Sequence, residues 1–193
     1  TLMSWTRLYL TVEGQTERAF ADAVLQPYLA QFSVGLHTRV VITHRKLGNR
    51  GGVFSFAQFK GDLIRLMREH RHDDVRFTTM IDFYALPSNF PGYQEAQGQD
   101  LPRRKVEILE TALYEHFGDQ RLLPYIQLHE FEALLYCDLS QLSRRISGSD
   151  RAFASLQEDV ANLAPEEIDE GNTTSPSKRI IRYVPTYEKQ KVR

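Results

Sequence analysis

The chain alternates short apolar runs with longer stretches whose apolar residues recur every three or four positions. Arg7 to Val12 (RLYLTV) is the first run, and Gly14 stops it. From Thr16 onward, Ala19, Phe20, Ala23, Val24 and Tyr28 fall at helical spacing, with Thr16 as the expected N-cap and Glu17 in the first turn. Thr38 to Thr43 (TRVVIT) is a second strand candidate leading into a basic, glycine-rich loop, HRKLGNRGG. Ser55 then precedes Phe56, Phe59, Leu63, Leu66 and Met67, one face of a helix ending near His70. Val75 to Ile81 (VRFTTMI) is the third strand, closed by Asp82, and the aromatic, proline-bearing loop FYALPSNFPGY is expected to lack regular structure.

Pro102 opens another helix, striped by Val106, Leu109, Leu113 and Phe117 and stopped by Gly118. Leu122 to Leu128 (LLPYIQL) is a fourth strand in which Pro124 implies an edge or irregular position. HEFEALLYCDL reads as a helix, followed by weaker helices over Leu139 to Ile146 and Arg151 to Leu163 and a helix start at Ser175-Pro176. Strands and helices alternate, roughly four of each, so the expected class is α/β: a mainly parallel sheet flanked by helices, with a helical C-terminal extension. The expected organisation is an α/β domain over 1–136 and a helical extension over 137–193 packed on that domain.

Composition narrows this picture mostly by exclusion. With 41% hydrophobic and 25% charged residues a packed core can form, and a net charge of −1 advertises no polyanionic partner globally. Cys137 is the single cysteine, which excludes an internal disulfide framework and fits a reducing cytosol. Thr1 to Trp5 carry no basic stretch followed by an apolar one, and no apolar run approaches the ~20 residues of a membrane span, so a cytoplasmic protein without a membrane partner is expected.

In a parallel α/β sheet, ligand groups gather at the carboxyl ends of the strands. That rule turns scattered acids into a candidate site. Glu13 follows the first strand, Asp82 the third, and His129, Glu130 and Glu132 the fourth. Converging carboxylates repel unless a cation lies between them, and hard oxygen donors suit Mg²⁺ or Mn²⁺ better than zinc. Each acid also has an ordinary reading: Glu13 as an exposed strand-end acid, Glu17 as an N-terminal helix acid, Asp82 as the cap of a turn. Glu130 and Glu132 cannot share a helical face, so Glu130, next to the strand end, is the expected ligand, with Glu132 solvated or capping. His129 is expected to orient a ligand, contact a phosphate or serve structurally. Arg45, Lys46 and Arg50 in the glycine-rich loop, and Lys178 and Arg179 in SPSKR, are the candidate phosphate-binding groups. Neither GxxxxGK[ST], GxGxxG nor GxSxG is present, so nucleotide hydrolysis, a dinucleotide cofactor and serine catalysis lack support.

Four blocks, LYLTVEGQTE, MIDFYALPSNFPGY, LPYIQLHEFEALLY and TSPSKRI, resemble in matching order the bacterial family catalogued as domain of unknown function 4276. That family is similar in turn to TOPRIM domains of topoisomerases, primases and the overcoming-lysogenization-defect (OLD) nucleases. The resemblance implies a compact Rossmann-like fold with an acidic Mg²⁺ site, a glutamate after the first strand (Glu13) and an Asp-x-Asp pair after the third. Here Asp82-Phe83-Tyr84 keeps only the first aspartate, which leaves Glu130 or Glu132 to supply the missing carboxylate. The resemblance further implies an anti-phage defence role beside an ABC-type ATPase. The expected function is a Mg²⁺- or Mn²⁺-dependent nuclease acting on DNA or RNA, with the metal on Glu13, Asp82 and Glu130 and with Lys178 or Arg179 stabilising developing charge. In this reading Glu17 lies beside the metal or on a second ion. The alternative is a non-catalytic TOPRIM-like partner that binds nucleic acid or regulates the ATPase.

Overall fold

A computed structural model of the protein describes residues 5–41, 55–146, 150–163, 167–168 and 175–187. The chain divides into two compact units, Thr1–Gln127 and Leu128–Arg193. The division falls ahead of the boundary expected at 136, so the HEFEALLY segment belongs with the second unit.

The first unit runs β1 (Thr6–Val12), α1 (Gln15–Phe20), a π-helical turn (Ala21–Leu25), α2 (Gln26–Ala30), β2 (Val34–Val40), α3 (Phe56–Glu69), β3 (Val75–Asp82), α4 (Tyr93–Gln97), α5 (Pro102–Phe117), β4 (Leu122–Leu123) and β5 (Ile126–Gln127). The strands are ordered β2-β1-β3-β4, with β5 also on β3, and every pair is parallel. The expected α/β class is the one observed. Tyr9 and Phe77 share a register position and, with Val75 and Ile81, join the core built on Phe59, Leu63, Leu109 and Leu113 of α3 and α5. The alternate residues Leu10, Val12, Leu36 and Met80 are also buried, on the opposite face. There Thr38 Oγ1 donates to Asp22 in the π-helical turn, 2.8 Å away. Helices therefore cover both faces.

Several element expectations need correction. The first helix starts at Gln15 with Gly14, not Thr16, as its N-cap. β2 covers Val34–Val40 and so begins well before Thr38; it is held by backbone pairing to β1 from Thr6↔Val34 onward, which Gly35 and His37 do not advertise in sequence. The loop after Asp82 contains a 3₁₀ turn, Phe83–Ala85, and runs into the short α4 at Tyr93. HEFEALLYCDL forms 3₁₀ turns over Phe131–Cys137, not an α-helix.

The fourth strand is split by Pro124 into β4 and β5. Side chains replace the missing ladder there. The buried Thr79 hydroxyl donates to Tyr125 C=O (2.8 Å) and accepts from Tyr125 N–H (3.0 Å). Glu110 Oε1 accepts from Ile126 N–H at 2.8 Å. Thr79→Val keeps the shape and removes both hydrogen bonds to the Tyr125 backbone, so a loss of about 1–3 kcal/mol is expected in denaturant unfolding. A change within ~0.3 kcal/mol would mean that water serves those groups instead.

Burial raises the pKa of Glu110 above the ordinary glutamate value, against the opposing effect of the Ile126 N–H. The folded state thus holds the proton at higher pH than the unfolded chain does. Its contribution to stability is present below the unfolded pKa and declines as pH rises through the interval up to the folded pKa. Glu110→Gln retains an acceptor for Ile126 and has no titration. It is expected to flatten the decline in melting temperature just above pH 4.5, the ordinary value, and to be at least as stable at pH 7. An unchanged pH profile would reject this assignment.

The second unit holds the 3₁₀ segment, α6 (Leu139–Arg145), α7 (Asp150–Asp159) and α8 (Pro176–Tyr183). Its separate core includes Leu142, Phe153, Leu156, Ile168, Ile180 and Val184. Pro176 stands in the first turn of α8, as the SPSKR reading requires. Among the described residues, no helix is long and apolar enough to cross a membrane.

Candidate functional site

β1 and β3 are central neighbours in the sheet, and their parallel register pairs Val12 with Met80. Glu13, the next residue, leaves the sheet level with Ile81, one position short of Asp82. A strand spacing of ~4.8 Å and a rise of ~3.3 Å per residue place the two Cα atoms about 6 Å apart. Both residues therefore stand at the carboxyl edge, where a parallel sheet exposes its strand ends. Glu13 and Asp82 are each half-buried, and Glu13 Oε2 is shielded from solvent.

Strand alternation assigns Asp82 to the face of Val12 and Met80, the face carrying α1 and the π-helical turn. Glu17 belongs to the first turn of α1, and its carboxylate folds back over Gly14. A Cβ built on Gly14 would lie 2.9 Å from Glu17 Oε2. One helical turn thus brings the Glu17 carboxylate to the residue after Glu13, as its four-residue spacing anticipates.

The acids of the fourth-strand block belong to the second unit, and their surroundings differ from expectation. Glu130 precedes the 3₁₀ segment, and its Oε2 accepts from the N–H of Ser177 at 2.9 Å. Pro176 has no N–H, so Ser177 offers the first free donor of α8, and the positive end of that helix receives a carboxylate. The phosphate-binding potential expected of the SPSKR helix start is, in this structure, met by the chain's own Glu130. Glu132 is 2% exposed, so of the two roles expected for it the solvated one does not hold. His129 is likewise buried, at 4%.

Around these acids lies a polar group that sequence reasoning missed. Tyr136 Oη donates to Pro176 C=O at 2.8 Å, and burial raises its phenol pKa above the ordinary value although Arg179 opposes the shift. Burial, with Glu132 and then Glu130 nearby, raises that of Tyr187 in the same way. Arg179 pairs with Asp159 at 3.0 Å and Lys178 is exposed. Pro176, Ser177 and Tyr136 had a weak signal in sequence, a helix start and an aromatic, but only contacts join them to Glu130.

Glu13, Glu17 and Asp82 therefore stand at one edge of the first unit, while in the second Glu130 meets the start of α8, which carries Lys178 and Arg179, and His129 and Glu132 are buried. Arg45, Lys46 and Arg50 lie outside the described residues. Among the described residues, no three His, Cys, Asp or Glu side chains stand close enough to hold a metal ion. The donor set nevertheless fits Mg²⁺, which is commonly held through one or two carboxylates, with waters and substrate phosphate completing its octahedron.

Compared with known proteins, residues 12–193 match the family model described as Domain of unknown function (DUF4276). No curated protein and no solved structure matches the chain.

Proposed function

This chain belongs to the DUF4276 family, and from that premise we propose that it is a Mg²⁺- or Mn²⁺-dependent nuclease of DNA or RNA in a bacterial anti-phage defence system. The observation that carries the reading is the emergence of Glu13 and Asp82 from adjacent parallel strand ends, in a register one residue apart. The resemblance of the VEGQTE and MID blocks to TOPRIM nucleases, including those of the OLD type, supports the same chemistry. A metal held there would polarise the scissile phosphate and lower the pKa of a bound water. Glu13 and Asp82 supply the anionic oxygens that hold it. Glu17, folded over Gly14, adds negative charge beside them and orients water or a second ion. Glu130 holds the start of α8 and thereby the placement of Lys178 and Arg179. An ABC-type ATPase is the partner we propose for the cellular reaction, and the cytoplasm its place.

A second reading, a non-catalytic partner that binds nucleic acid or regulates the ATPase, is favoured by two observations. Tyr84 stands where the resembled enzymes carry a second aspartate, and one oxygen of Glu130 is already engaged by Ser177. The deciding experiment incubates the purified protein with plasmid DNA, single-stranded DNA and tRNA in Mg²⁺, Mn²⁺ or EDTA, beside Glu13→Ala. Cleavage that needs the cation and Glu13 supports the nuclease. Cleavage that is equal in both proteins, or absent with every substrate, supports the second reading.

A further inference from the structure

An open groove of ≈ 460 Å³ runs between α3 and α5 of the first unit. Asp73 and Arg121 line it, and both adjoin the amino ends of β3 and β4, so it opens at the sheet edge opposite Glu13 and Asp82. The length of β1 separates the two edges by ~20 Å. Its floor is apolar, formed by Ile64, the buried Met67 and Phe117. Its walls are cationic.

Among the described residues, Lys60, Arg68 and Arg71 line the groove and none of them forms an ion pair. Arg121 is committed elsewhere: it pairs with Asp119 at 2.7 Å, donates to His70 C=O at 2.7 Å, and lies over the Phe77 ring. With that pair cancelled, Asp73 is the acid left among the lining residues, against three cations. A chain with a net charge of −1 thus concentrates positive charge on one apolar-floored strip. The burial of His116, and then the ammonium of Lys60, lower that imidazole's pKa, consistent with a positive local field.

Lys60 and Arg68 are separated by roughly 12 Å along α3, so a ligand reaching both must carry more than one negative group. The exposed His116 ring contacts Phe117 edge-on, their centroids 5.5 Å apart, and sits beside those cations. Cations that track a backbone, combined with accessible rings and an apolar floor, suit bases on a flexible phosphodiester strand. A duplex keeps its bases stacked inside and would meet only the cations. We propose that this groove binds single-stranded nucleic acid, with phosphates on Lys60, Arg68 and Arg71 and a base against His116 and Phe117. For the identity of the polyanion, the assignment rests on the nuclease reading. It does not need the carboxylate edge to be catalytic.

The test measures anisotropy of a labelled 20-nucleotide oligo-dT with the full chain in EDTA, over 50–200 mM salt. R68E/R71E is expected to weaken binding at least about tenfold and to make the log K against log salt slope shallower by roughly 1.4, about 0.7 per lost phosphate contact. Exposed arginines of the second unit serve as the charge-matched control, R144E/R151E, and are expected to leave binding unchanged. Binding read in EDTA does not depend on cleavage, so failure of the groove and failure of the nuclease reading give different results. If R68E/R71E melts early, K60Q/R68Q replaces it, with at least a threefold loss expected. Equal losses in groove and control variants would overturn the proposal. So would displacement of the oligonucleotide by poly-glutamate of matched charge, which would make the groove a seat for an acidic protein.

Discussion

On the proposed nuclease activity, Glu13→Gln and Asp82→Asn are each expected to lower metal-dependent cleavage at least about a hundredfold and to raise the Mg²⁺ concentration needed for half-maximal rate. Each substitution keeps size and shape but replaces an anionic oxygen donor by a neutral amide. A hard dication bound through few carboxylates depends on each of them, and loss of a group that stabilises transition-state charge commonly costs 10²–10³ in rate. Their placement on adjacent strands predicts similar losses from the two, because each would contribute one donor to the same ion. Glu17→Gln should cost less, since its carboxylate reaches the edge from a helix. Gly14→Ala separates the roles further. Its new Cβ would meet only the flexible end of Glu17, so it should reproduce the Glu17→Gln rate and leave that of Glu13 intact. Initial rates across a Mg²⁺ titration decide the matter; wild-type rates in Asp82→Asn would remove this residue from the reaction.

Gly92→Ala is expected to destabilise the first unit by about 2–4 kcal/mol, with a melting temperature lower by roughly 10 °C or more. Gly92 has φ of +75°, where a side chain is strained, and a Cβ there would lie 2.8 Å from Ala112 Cβ and 3.3 Å from Ile108 C=O. It caps α4 exactly where α4 packs on α5, so relief would require the two helices to part. Gly118 is the internal comparison: it also has positive φ, at +60°, but open space around it. Gly118→Ala should therefore cost only about 1 kcal/mol, the backbone part alone. Thermal unfolding followed by circular dichroism compares the two, and equal losses would show that the clash at Gly92 is relieved at little cost.

These residues differ in how far the sequence announces them. The α3 stripe, the αL stop at Gly118, the Pro102 and Pro176 helix starts and strands β1 and β3 are written in local periodicity and in residues with restricted backbones, which act without knowledge of neighbours. For the same reason Glu13 and Asp82 could be placed at one sheet edge: alternating strands and helices imply parallel strands, and parallel strands end together.

What stayed hidden depends on contacts made across the chain. β2 owes its start at Val34 to pairing with β1, and the split fourth strand owes its continuity to the Thr79 hydroxyl and the Glu110 carboxylate. HEFEALLY has helical composition yet takes 3₁₀ turns, while Glu130 is drawn to the positive end of α8, far along the sequence. Propensity and spacing are properties of a few consecutive residues, so the sequence alone determined the α/β class and the strand-end position of the acids. Which donor meets which acceptor depends on the folded path, so only the tertiary structure showed the Glu130 carboxylate seating the start of α8.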